Sequence, residues 1–130
     1  MIEEALFTQL TEDEKVGGKI AITNGFNLFP LRIPDKADLS GGYAITYTQV
    51  KEGRVYPALK LPVFQFNCFG DTFEKARDLA QDVENCLDDL SEIKLGNDTN
   101  VNYVKLTNKV PLFDNTAKLF YFVIEISLKY

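Results

Sequence analysis

The sequence predicts an α+β protein, an antiparallel β-sheet with an N-terminal helix and one long helix packed on one face. Several segments alternate apolar and polar residues with a period of two, which is typical of strands that bury one face. One long segment instead repeats its apolar residues at helical spacing. Strands and helices do not alternate along the chain as they do around a parallel sheet, so an antiparallel meander is favoured. The length of 130 residues fits a single domain, 1–130, with one core.

The chain is predicted to begin with a helix from Ile2 to Lys15. Its apolar residues fall on one helical face, and Glu3 and Glu4 stand in the first turn, where the helix dipole favours negative charge. The pair Gly17-Gly18 is expected to end this helix.

Three strand-like segments follow. Residues 28–34 contain two prolines, each of which removes a ladder donor, so this segment is predicted to be an edge strand or a strand-like arm. Residues 43–48 alternate as a strand with one buried face. In residues 61–69, Phe64 and Phe66 share one face, which is predicted to face the core.

The long helix is predicted to be capped by Asp71, with Glu74 at the spacing of a capping box. Its apolar residues recur as far as Leu90, which makes it the main packing helix. The carboxylates along it are interpreted as its solvated face: Asp78, Asp82, Asp88 and Asp89.

The C-terminal part is predicted to contain a strand at 101–106, a loop through 111–115 and a long final strand at 118–129. One face of the final strand is apolar throughout. The opposite face is apolar for half its length, so a loop or another chain is expected to cover that half: Leu119, Tyr121 and Val123.

The charge balance limits the partners of the chain. A formal net charge of −5 and a pI of about 4.7 give a field that repels polyanions, so sequence-specific nucleic-acid binding is not expected. The longest apolar run, 119–124, is too short to span a bilayer, and no export signal is recognised, so no membrane partner is expected. Cys68 and Cys86 are therefore predicted to be buried, reduced thiols.

Catalytic chemistry has little support in the sequence. The chain has no histidine, its serines lie outside any nucleophile elbow, and Cys68 lacks a base partner. Asp98, Asn100 and Asn102 imitate part of a calcium loop, but the required glycine and closing glutamate are missing. No Gly-rich phosphate loop is present. The chain is therefore predicted not to be an enzyme and to use no cofactor and no metal.

In order and spacing, the segments resemble the tail-completion proteins of tailed double-stranded-DNA bacteriophages, also called tail-terminator or head-to-tail joining proteins. The resemblance covers nearly the whole chain. It runs from MIEEALFTQLTED through FPLRIP and YAITYTQV to the aromatic strand after LFDNTAKLFY. Its strongest stretch is VFQFNCFGDTFEKARDLAQDVENCLDDL, in which a strand with Gln65 and Cys68 turns into an Ala-rich helix.

The resemblance implies a subunit, monomeric when free, that forms a closed ring, usually a hexamer, at the head-proximal end of a phage or prophage tail. Its implied partners are other copies of itself, the tail tube protein and the head-connector protein. Its implied location is the tail–head junction of the virion, and the host cytoplasm during assembly. The family has no catalytic residues to transfer.

Two segments are candidate contacts with other subunits or partners. The first combines cations with an aromatic side chain, which suits an acidic protein surface better than nucleic acid: Lys51, Arg54 and Tyr56. The second is the apolar part of the predicted loop: Val110, Leu112 and Phe113. The alternative function is a small non-enzymatic ligand- or protein-binding module, in which the sheet and the long helix enclose a ligand.

Overall fold

A computed structural model describes residues 2–23, 25–51, 54–56, 59–60, 62–88, 90–95, 99–116 and 118–129. Within these ranges the side chains of residues 51, 54–56, 59–60, 92–93, 95 and 99 are not described. The elements, in chain order, are α1 (Ile2–Glu12), α2 (Glu14–Ile20), β1 (Ala21–Ile22), β2 (Gly25–Phe26), β3 (Leu28–Pro30), β4 (Tyr43–Lys51), β5 (Arg54–Tyr56), β6 (Leu59–Lys60), β7 (Val63–Gly70), α3 (Phe73–Leu87), β8 (Leu90–Leu95), β9 (Thr99–Asp114) and β10 (Leu119–Lys129).

Six strands form the main sheet in the order β3-β4-β7-β10-β9-β8. Every neighbouring pair is antiparallel except β3 and β4, which run parallel. The short pairs β1–β2 and β5–β6 stand apart from this sheet. The helices cover one face of the sheet, which we call the inner face, and build the core with it. The predicted α+β fold is therefore confirmed.

The first part of the predicted segment, Leu28–Pro30, forms an edge strand, whereas residues 31–34 belong to no strand. β3 pairs only with β4, from Leu28 opposite Ile45 to Pro30 opposite Tyr47, and so forms one edge of the sheet. A strand that needs hydrogen bonds on one side only tolerates proline, because the missing donor costs nothing on the open side.

The predicted helix stop at Gly17-Gly18 is wrong. The first helix ends at Glu12, and Asp13 caps a second one by accepting hydrogen bonds from the backbone N–H groups of Lys15 and Val16, at 3.0 Å each. Both glycines lie inside α2. A Cβ on Gly17 would stand 2.3 Å from the carbonyl oxygen of Thr11, so this glycine allows α2 to pass close to the end of α1.

The predicted cap of the long helix is one residue too early. Thr72 is the N-cap, and its hydroxyl oxygen accepts a hydrogen bond from the backbone N–H of Lys75 at 3.2 Å. Asp71 instead forms an exposed ion pair with the Lys75 ammonium at 3.1 Å. The helix ends at Leu87, and Leu90, predicted to be its last apolar residue, begins β8.

Replacing this cap gives a test of the assignment. Thr72→Ala is expected to lower the free energy of unfolding by about 1 kcal/mol, because one N-terminal N–H loses its acceptor. Asp71→Ala is expected to lower the free energy of unfolding by only about 0.3 kcal/mol, since exposed ion pairs contribute little. Urea unfolding followed by circular dichroism measures both, and Thr72→Ser, which keeps the hydroxyl, is the matched control. A larger loss for Asp71→Ala than for Thr72→Ala would contradict the assignment.

The predicted loop at 111–115 is also wrong. β9 continues to Asp114 and pairs with β10 along its length, with Pro111 opposite Phe122. On its other side, β8 pairs with β9 only as far as Val104. The second half of β9 is therefore a sheet edge in the part of the chain that the structure describes, and an edge can accept a proline.

Candidate assembly interface

The face of the sheet opposite the helices, the outer face, changes from apolar to polar along the strands. Pairing of four neighbouring strands aligns their residues in rows across this face. The first row is Ala44, Phe69, Tyr121 and Leu112; the second is Thr46, Asn67, Val123 and Val110; the third is Thr48, Gln65, Glu125 and Asn108. We call the apolar end the outer-face patch, formed by Phe69, Val110, Leu112, Tyr121 and Val123.

The outer-face patch is covered on one side and open on the other. Phe69 is buried under the ring of Tyr121, which stacks on it with the centroids 4.9 Å apart. Leu39, from the segment before β4, borders the same small space as Ala44 and Phe69.

The open side of the patch is the one formed by β9. There Val110 and Leu112 remain 38% and 46% exposed. The predicted apolar half-face of the last strand is thus real, because Tyr121 and Val123 lie on the outer face. Among the described residues, Leu39 reaches this face near Leu119 and Phe69.

Phe113 does not belong to this patch. Strand alternation turns it to the inner face, where its ring lies 4.8 Å from that of Phe120. Phe73, at the start of α3, lies 6.2 Å from Phe120 and 5.5 Å from Phe122. The predicted contact residues Val110, Leu112 and Phe113 are therefore distributed over two faces.

The free edge of β9 offers few donors to another strand. The backbone N–H of Leu106 donates to the carboxylate of Asp88 at 2.7 Å, and that of Lys109 donates to the side-chain oxygen of Asn108 at 3.0 Å. Pro111 has no N–H. A partner at this edge would therefore bind mainly to side chains.

The other predicted contact group lies at the opposite end of the sheet. β4 starts at Tyr43, in the row that contains Phe113, and ends at Lys51, which pairs with Val63. The backbones of Arg54 and Tyr56 lie in β5, in the small hairpin inserted beyond that last pair. The side chains of Lys51, Arg54 and Tyr56 lie outside the described residues.

A surface groove between α1 and β4 was missed by sequence reasoning. It measures about 410 Å³ and is lined by Glu3, Glu4, Phe7, Thr8 and Tyr47. In the sequence, the helix dipole alone accounts for Glu3 and Glu4. The sequence feature that could have indicated the groove is Phe7, a large aromatic residue outside the apolar face of α1. Its side chain is 38% exposed.

Both cysteine side chains belong to the core. Both cysteines are free and buried, as predicted; burial raises the pKa of the Cys86 thiol to about 12 and raises that of Cys68 still further. Such thiols stay protonated at neutral pH, which suits packing rather than nucleophilic attack.

The sequence suggested that the carboxylates along α3 form its solvated face. The structure shows that not all of them do. Asp82 pairs with Lys19 between α3 and α2, and its hydrogen bond raises the pKa of Lys19. Asp88 binds the backbone of β9. Asp78 is exposed, and Asp89 lies outside the described residues.

Within the described ranges, three or more His, Cys, Asp or Glu side chains are nowhere grouped so that they could hold a metal ion. Over the same ranges, the helices lack the length and apolarity needed to cross a membrane.

No protein-family model matches this sequence, and no curated protein matches it. By structure, the chain is similar to a chain of a solved particle described as the virion of a native gene transfer agent (GTA) particle. The TM-score is 0.71 at 13% sequence identity, over 98% of this chain and 92% of that chain. The chain thus shares, over nearly its whole length, the fold of a protein found in that virion.

Proposed function

We propose that the chain is a structural protein of a virus particle. Copies of it would form a closed ring on the head-proximal end of a tail and join that tail to the head. The observation that carries this proposal is the nearly full-length likeness to a chain of the GTA virion. The resemblance of the sequence to tail-completion proteins supports the finer role at the tail end. A fold alone does not define a function, so the role must also be argued from surfaces.

The outer-face patch supports a subunit contact. Val110 and Leu112 are exposed apolar residues beside Tyr121 and Val123, on a face that the helices leave open. Contiguous exposed apolar surface of this kind is typical of sites that a partner covers. In a ring of identical subunits each contact joins two different surfaces, and rotation closes the series.

The charge of the chain supports a place at the junction through which DNA passes. A net charge of −5 per subunit repels the phosphate backbone, so DNA would move through a ring of such subunits without adhering. We propose no catalytic role, since both cysteine thiols are buried and stay protonated. The proposed partners are other copies of the chain, a tail tube protein and a head-connector protein.

Deletion of the gene from its genome tests this function. Electron microscopy of lysates is expected to show filled heads apart from tails of irregular or excessive length, because nothing ends the tail or joins it to the head. A plasmid copy of the wild-type gene is expected to restore complete particles. Normal, infectious particles from the deleted genome would overturn the proposed role.

The alternative, a non-enzymatic binding module with a ligand between the sheet and the long helix, has less support. On the side of α3 that faces the sheet, Leu79, Ala80 and Val83 are fully buried and pack into the same core as the sheet residues. A ligand there would first have to open the core.

A further inference from the structure

The groove beside α1 continues along the β3 edge of the sheet. A second depression of about 220 Å³ adjoins the one of 410 Å³, and both include Glu3 and Tyr47. Together they form one groove from α1 to the end of β4, which we call the edge groove. Its second part is lined by Pro30, Leu31, Thr48 and Gln49.

The walls of the edge groove combine apolar and neutral polar side chains, and its charged lining residues, Glu3 and Glu4, are acidic. Phe7 and Leu31 are both exposed, and Leu31 is held at a φ of 67°, a left-handed conformation that is unfavourable for a residue with a Cβ. Burial, and after it the charge of Glu3, raises the pKa of the Tyr47 hydroxyl. Among the side chains that the structure describes, neither Glu3 nor Glu4 has a cationic partner.

Such a groove fits a segment that carries both cations and apolar side chains. The chain contains one in residues 51–60, where Lys51, Arg54 and Lys60 stand against the single acidic Glu52, together with Tyr56. This segment is basic in a protein of net charge −5. Its middle forms the β5–β6 hairpin, with Arg54 opposite Lys60.

The hairpin of the same chain is directed away from the groove. It is inserted beyond the last β4–β7 pair, and β6 contacts β10, on the far side of β7 from β4. The edge groove lies on the other side of β4, between β4 and α1. A hairpin that enters the groove must therefore come from another molecule.

We propose that the edge groove receives the β5–β6 hairpin of a second copy of this chain. The inference rests on the proposed function, because the same contact repeated from copy to copy joins two different surfaces and closes a ring. Charge complementarity selects this occupant: Glu3 and Glu4 meet the cations, and the walls formed by Phe7 and Tyr47 meet the apolar side chains.

The sharpest test uses charge reversal in trans, with the deleted genome supplied by plasmid copies. Glu3→Lys with Glu4→Lys is expected to reduce complete particles by about 100-fold, because like charges then face each other. Lys51→Glu with Arg54→Glu is expected to do the same. When both variants are expressed together, an alternating ring places opposite charges at every contact, and complete particles are expected to return.

Two controls define the result. Glu14→Lys makes the same change in the first turn of α2, away from the groove, and is expected to leave assembly unchanged. A chain that carries all four substitutions is also expected to assemble. If that combined chain assembles but the mixture does not, the hairpin binds its own groove, and the proposal is overturned; wild-type assembly by either pair alone also overturns it.

A chemical measurement separates this inference from the proposed function. Carbodiimide joins a carboxylate to an amine in contact with it, with loss of water taken up by the reagent. In concentrated protein mixed from ¹⁴N and ¹⁵N copies, links from Glu3 or Glu4 to Lys51 or Lys60 are expected in peptides of mixed label. Their absence, or links within one label only, overturns the groove contact. Normal particles from the deleted genome overturn the ring function, whatever the links show.

Discussion

Val110→Thr combined with Leu112→Thr is expected to leave the monomer folded and to prevent it from joining a ring. Threonine is β-branched and suits a strand at both positions, while the two side chains lose apolar surface that a partner would bury. That loss amounts to about 3 kcal/mol of association free energy, or roughly 100-fold in the association constant. The thermal midpoint of the monomer should stay close to that of the wild type, since both residues are well exposed.

The measurement is particle assembly from the deleted genome, with thermal unfolding of each purified variant beside it. Val50→Thr is the matched control, because Val50 is 47% exposed but lies at the other end of β4 from the outer-face patch. Complete particles from the double variant would show that the patch contacts nothing. A strongly lowered midpoint would mean that Val110 and Leu112 support the monomer instead.

Phe66→Ala is expected to cost about 3–5 kcal/mol of unfolding free energy. The Phe66 side chain is 1% exposed and fills the space between α1 and the sheet, so its removal leaves a cavity beside Leu6 and Leu10. A domain of this size has a total stability of about 5–15 kcal/mol. The loss should therefore consume a large fraction of the stability of the protein.

Urea unfolding measures this loss, and Phe73→Ala is its matched control. The same atoms are removed there from a side chain that is 45% exposed, so less than half the cost is expected. Equal costs for the two variants would refute the placement of Phe66 in the core between α1 and the sheet.

The parts of the fold that the sequence predicts best are those set by local periodicity. Strand β7 and the inner face of β10 follow from alternation alone, and the edge position of β3 follows from Pro30, because both signals act within a few residues. Gly17 was misinterpreted because its role is a close approach to the backbone of Thr11, which only the tertiary packing of two helices creates.

Pro111 was misinterpreted for a related reason. A proline in mid-strand is acceptable only at an edge, and whether β9 has one depends on where β8 stops pairing. The predicted contact group was wrong for the same reason, because Leu112 and Phe113 were assigned to one loop surface. Once they lie in a strand, alternation sends them to opposite faces.

The occupied N–H groups along the free edge of β9 affect whether unassembled subunits associate with one another through this edge. An open strand whose N–H groups are unpaired can recruit identical molecules and grow into fibres. Here Asp88 and Asn108 satisfy two of those groups, and Pro111 removes a third. This edge therefore offers an identical molecule fewer unpaired N–H groups than an open strand of the same length would. The side-chain surfaces, and not the backbone, are left to determine when and where unassembled subunits associate.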